Sequence, residues 1–153
     1  MAKSTVSGLR LAQALTLAQI SRVVGASFLV ALGMGLFHAS FAIPAGVGDL
    51  LVGLTAPLAF IALRRGSLMG WVGGIVWNVL GLTDLVYAVT EGSISGASGF
   101  NTPLSVGFPW VLIPTVGVPI FTIVHLVTLA LLVRRPVRVY FAGRETLTGT
   151  SGP

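Results

Sequence analysis

The chain has no cysteine, which excludes disulfides, thiolate metal sites and cysteine nucleophiles and leaves His, Asp, Glu, Tyr and Trp to carry any chemistry. Charge is nearly as scarce. Nine Lys+Arg and 4 Asp+Glu in 153 residues make the chain 8% charged and 54% hydrophobic, with a mean hydropathy of +0.96. A soluble globular domain needs about a quarter of its residues charged because its surface meets water, so that class is excluded. The net charge of +5 is not a nucleic-acid footprint either, since no stripe of basic residues alternates with aromatics on a polar face.

What the sequence has instead is long uncharged runs, at residues 23–48, 50–63, 66–83 and 92–133. A helix needs roughly 20 apolar residues to cross a bilayer, and the runs predict an all-α integral membrane protein of four transmembrane helices. The expected organisation is a cytoplasmic segment at 1–22, with weak amphipathic character suggesting an interfacial helix, a four-helix domain at 23–135 and a cytoplasmic tail at 136–153. Span 1 is expected at 23–40. Span 2 begins near Pro44, where a missing N–H suits a first helical turn, and ends at Arg64-Arg65-Gly66. Span 3 is expected at 68–90, followed by a loop rich in Gly, Ser and Asn. Prolines at 103, 109, 114 and 119 would break a regular helix repeatedly, which predicts a re-entrant or interfacial segment. Span 4 then starts between Thr115 and Pro119.

This arrangement places Lys3, Arg10, Arg22, Arg64, Arg65, Arg134, Arg135, Arg138 and Arg144 on one side. By the positive-inside rule that side is cytoplasmic, so both termini are expected in the cytoplasm. The Arg-over-Lys bias and the Gly and Ala content fit a bacterial origin, and hence an inner membrane.

Inside the spans, ionisable residues are costly and mark function by default. At about 1.5 Å per residue, His38, Asp49, Asp84 and His125 converge on the outer half of the bundle, one from each span. Gly70, Gly74, Trp77, Gly81, Asp84 and Ala88 make one helical stripe of small residues in span 3, which should face a neighbouring helix. Similar spacing links Ser27, Ala31, Met34 and His38 in span 1 and Asp49, Gly53, Ala56 and Phe60 in span 2.

The sequence thus predicts a His/Asp pocket lined by His38, Asp49, Trp77, Asn78, Asp84, Tyr87 and His125, binding a small ligand or ion, with proton-coupled transport as one use of it. Two imidazoles and two carboxylates also suit a divalent metal such as Zn, Mn or Fe, with His38, Asp49, Asp84 and His125 as ligands. Haem b between His38 and His125, with Met34 as a spare ligand, is a weaker alternative because no CxxCH and no second histidine pair accompany it. An enzyme acting on a lipophilic substrate is the other reading, with Asp84 or Asp49 as general acid or base and Glu91 at the pocket mouth. The plainest alternative makes the same residues inter-helix bonds in a structural subunit. Expected partners are the bilayer and a small ligand or ion, not nucleic acid, and a homo-oligomer is compatible with every reading.

Overall fold

The computed structural model describes the backbone of residues 2–134, with side chains from Gly8 onward. The expected tail at 136–153 lies outside the described residues, as do Arg135, Arg138 and Arg144. Among the described residues all regular structure is helical. The first rod is α1 (Ala2–Ala18), a 3-10 segment (Gln19–Ala26) and α2 (Ser27–Gly33). It is followed by α3 (Ala39–Arg64), α4 (Leu68–Ala97), α5 (Pro103–Val106), a π turn (Ile113–Gly117) and α6 (Val118–Val133). Four stretches are long and apolar enough to cross a membrane, Gly8–Gly33, Ala39–Arg64, Leu68–Ala97 and Ile113–Val133.

The first of these stretches corrects the sequence reading. It begins at Gly8 rather than Val23 and encloses Arg22, because its buried face follows a spacing that a charge count does not reveal. Ala12, Thr16, Gln19, Arg22, Gly25, Phe28 and Ala31 are all buried. Their steps are one of four and then five of three, and residues three apart eclipse one another in a 3-10 helix. The tightening of the rod at Gln19–Ala26 therefore keeps a single seam facing inward. Of the two residues expected to continue this face, Met34 caps the rod and is exposed, and His38 lies beyond it. It ends at Gly35 (φ +72°), where Gly35 N–H donates to Leu32 and Leu36 N–H to Ala31, a terminus that needs the left-handed conformation glycine adopts without strain.

The two middle helices are also longer than the sequence predicts. α3 starts at Ala39, capped by His38, with Pro44 and Pro57 inside it. α4 is capped by the Ser67 hydroxyl, which accepts from Gly70 N–H at 3.1 Å, and runs through Glu91, Gly92 and Ser93. Ser93 Oγ donates to the Val89 carbonyl one turn back, so the polar residues continue the helix until Gly99 (φ +81°) ends it. After α5, a cis Phe108–Pro109 bond and the π turn lead into α6. The wider π turn suits a stretch in which Pro114 and Pro119 cannot donate.

Inside and outside are inverted relative to a soluble bundle. Leu51, Leu54, Leu58, Val76, Leu80, Ile123 and Leu126 are exposed, while Gln19, Arg22, Asp49, Asn78, His125 and Thr128 are buried. Aromatic packing closes one end: Phe28 meets Phe41 at 5.2 Å and Trp110 meets Phe37 at 5.4 Å between ring centroids, which ties the proline-rich segment to α2 and α3. At the opposite end Trp71 Nε1 donates to the Leu132 carbonyl at 3.1 Å, and Arg64, Arg65 and Arg134 are exposed.

Close helix contacts rest on glycine. A Cβ at Gly70 would overlap the Ala62 carbonyl, whereas one at Gly73, on the outer face of the same helix, would meet nothing within 4 Å. Gly70→Ala should therefore lower stability by about 1–3 kcal/mol through overpacking, and Gly73→Ala should be neutral or mildly stabilising through helix propensity. Thermal unfolding of both variants in the same detergent checks the pair. Equal midpoints would place Gly70 away from the helix interface.

Candidate functional site: a buried arginine ringed by two carboxylates and an imidazole

Arg22 stands at the middle of the bundle, 14 residues into a 26-residue stretch, and is only 1% exposed. A guanidinium carries five N–H donors in a fixed planar fork and accepts nothing. Each of the five has an acceptor in reach. Nε donates to Asp49 Oδ1 at 2.6 Å, and Nη2 lies 2.6 Å from the same oxygen. Nη2 also donates to Asp84 Oδ2. Nη1 donates to the Gly81 carbonyl at 3.1 Å and meets His125 Nε2 at 3.3 Å. The guanidinium carbon lies 5.9 Å from the Phe121 ring centroid, within cation–π range.

One side chain of the first rod therefore joins α3 through Asp49, α4 through Asp84 and Gly81, and α6 through His125 and Phe121. The imidazole is itself held. Asn78 Nδ2 donates to the Gly74 carbonyl at 2.8 Å, which turns Asn78 Oδ1 toward His125 Nδ1 at 2.9 Å. In the tautomer that satisfies every group, His125 Nδ1–H donates to Asn78 and Nε2 accepts from Arg22. Trp77 packs its ring 5.5 Å from the imidazole and donates Nε1–H to Thr55 Oγ1 at 2.9 Å.

Asp49, Asp84 and His125 each lie over a glycine of a neighbouring helix. A Cβ at Gly25 would collide with the Asp49 carboxylate, one at Gly48 with the Asp84 carboxylate, and one at Gly81 with the His125 ring. Small residues let backbones approach closely enough for short polar side chains to reach across. Of the span 3 stripe read from the sequence, Gly70, Gly74 and Gly81 are buried while Trp77, Asp84 and Ala88 are half-buried, and Asn78 and Leu85 complete the buried face beside them.

The expected site residues divide cleanly. Asp49, Trp77, Asn78, Asp84 and His125 come together, with Arg22 joining Asp84 to His125. His38 does not. It caps α3, its Nδ1 lies 2.8 Å from Ser40 Oγ, and its ring stacks on Phe100 at 4.1 Å. Tyr87 is exposed and borders an open groove between α3 and α4, together with Glu91. Among the described residues no three His, Asp or Glu side chains gather as a metal site requires. The expected quartet of His38, Asp49, Asp84 and His125 is split because the first rod ends before His38, and the cation at the centre is the arginine's own.

The residue the sequence reading missed is Arg22. At the border of an uncharged run it reads as a cytoplasmic charge. The available signal was the stoichiometry, two aspartates inside apolar spans with no basic partner, together with the three-residue spacing of Gln19, Arg22, Gly25 and Phe28.

Two cavities meet at Asp49. The first, about 130 Å³, has apolar walls of Phe28, Phe41, Leu85 and Ile113, with Ser93 and Thr102 also lining it. The second, about 280 Å³, lies between the 3-10 segment and the π turn and is lined by Arg22, Gly25, Ile113 and Phe121.

The chain belongs to a family described as a domain of unknown function (DUF8737), which it matches over residues 3–133 and hence across all the helices above. No curated protein and no solved structure matches it significantly.

Removing one partner from a buried ion pair leaves an uncompensated charge and costs about 3–5 kcal/mol. Arg22→Met should lose stability on that scale, and Arg22→Lys should recover only part of it, because an ammonium lacks the planar fork that reaches Asp49, Asp84 and Gly81 together. The combined Arg22→Met, Asp49→Asn, Asp84→Asn variant should be more stable than Arg22→Met alone. Thermal unfolding in detergent checks the series, and a wild-type midpoint for Arg22→Lys would show that the fork geometry is not needed.

Proposed function

We propose that this chain is an integral membrane protein whose four helices enclose a small-ligand site at the Arg22–Asp49–Asp84–His125 network. Support for insertion comes from the inverted surface, with leucine, valine and isoleucine outside and charge inside, since in hydrocarbon the exposed apolar faces are solvated and the polar groups must satisfy one another. In this reading the end bearing Arg64, Arg65 and Arg134 faces the cytoplasm.

The observation that carries the ligand site is the placement of Asp49. Its carboxylate belongs to the charged network and also lines both cavities. Ligand pockets are mostly apolar with a few fixed polar groups that set orientation, and this description fits aromatic and aliphatic walls converging on one carboxylate. The proline-rich segment serves as the roof, held down by Trp110 among Phe28 and Phe37. A ligand bound here is the state from which either transport or chemistry on a lipophilic substrate would proceed.

The first pocket is half open and, at about 130 Å³, close to the roughly 150 Å³ that accepts benzene-sized molecules, so a brominated aromatic is a suitable probe. Bromobenzene should quench tryptophan fluorescence saturably in lipid nanodiscs, because Trp110 stacks on the cavity-lining Phe28. Ala88 also lines the cavity, and Ala88→Phe, which fills it, should leave only the linear response of bilayer partitioning. A linear response in the wild type would refute the pocket.

A further inference from the structure

We propose that the site takes a small lipophilic amine, bound as its ammonium at Asp49 with its hydrocarbon part in the apolar cavity; this rests on the ligand-site reading above. The first support is charge balance. The network sets one guanidinium against two carboxylates, and in the tautomer that satisfies the hydrogen bonds His125 adds no charge. Among the described residues no other Lys or Arg is buried, since Arg10, Arg64, Arg65 and Arg134 are all exposed. With both carboxylates ionised the network is one positive charge short, a costly state away from water that either a proton or a cationic ligand relieves and a neutral or anionic ligand does not.

The second support is the coordination of Asp49 itself. Oδ1 takes both contacts from Arg22, while among the described residues Oδ2 accepts no hydrogen bond. Asp49 is 8% exposed, and its side chain keeps some accessible surface. Oδ2 lies over Gly25, which lines the second cavity, and Asp49 and Ile113 are common to the two cavities. An ammonium has donors to spare and would supply the missing one there.

The third support is the walls. Phe28 and Phe41 on one side and Phe121 on the other present aromatic rings to the two cavities, and aromatic faces attract desolvated cations. Apolar walls otherwise dominate, with Ser93 and Thr102 as the hydroxyls of the first cavity. Cavities of about 130 and 280 Å³ suit an aryl-alkyl amine better than a long-chain lipid.

The test uses three probes of one shape: 2-phenylethylamine, 2-phenylethanol and 3-phenylpropionate. Each is titrated calorimetrically into the full-length protein in phosphatidylcholine nanodiscs, with empty nanodiscs as the partitioning blank. The amine should bind saturably and at least tenfold more tightly than the alcohol, and the carboxylate should not bind. Ile113→Trp, which fills the junction of the cavities without touching the charged network, should abolish amine binding while circular dichroism stays unchanged. Asp49→Asn should remove the preference for the amine over the alcohol, and if that variant does not fold, the wild-type series alone decides. Equal binding of amine and alcohol would overturn the amine assignment and leave the pocket standing. Binding of none of the three would overturn both.

Discussion

Everything in this bundle is arranged around keeping one guanidinium away from water. An arginine at mid-bundle is tolerable only if each of its donors finds an acceptor and its charge finds a counter-charge. Arg22 recruits both from every other long helix: Asp49 from α3, Asp84 and the Gly81 carbonyl from α4, and His125 from α6. These bonds are directional, so they fix the rotation and height of each helix against the first rod in a way that apolar packing alone does not. In the proposed membrane setting lipid tails are as apolar as leucine, and helix association relies on close packing and polar contacts.

The glycines follow from that demand. Aspartate is short, and a carboxylate on one helix reaches a guanidinium on another only if the backbones nearly touch. Gly25 beneath Asp49, Gly48 beneath Asp84 and Gly81 beneath His125 provide the approach. The 3-10 segment serves the same end, since its three-residue turn lines up Gln19, Arg22 and Gly25. A mid-helix 3-10 stretch often marks strain or function, and here it is centred on the buried charge.

Satisfying Arg22 does not satisfy its partners equally. Two carboxylates surround one cation, and the outward oxygen of Asp49 is left without a donor beside cavities walled by phenylalanine, leucine and isoleucine. The roof over this junction carries no charged residue from Asn101 to Gly117 and is held by aromatic contacts rather than ion pairs. The same arrangement thus holds the helices together and, in the function proposed above, offers a polar point of attachment for a small ligand.

The sequence by itself determined the helical class, the number of long apolar stretches, the inward glycines of α4 and the companionship of Asp49, Asp84 and His125. Each of these is set by local properties: hydropathy, glycine spacing, and the cost of ionisable groups in apolar surroundings. Tertiary structure alone decided where the first rod begins, that Arg22 is a core residue, and that His38 is an exposed cap. A sequence places a charge by the polarity of its neighbours along the chain, and Arg22 sits among Gln19, Ser21 and Val23, at what reads as a boundary. Its true neighbours are 27, 62 and 103 residues away. Only when those acceptors are brought together does burying the charge become less costly than leaving two aspartates without a cation.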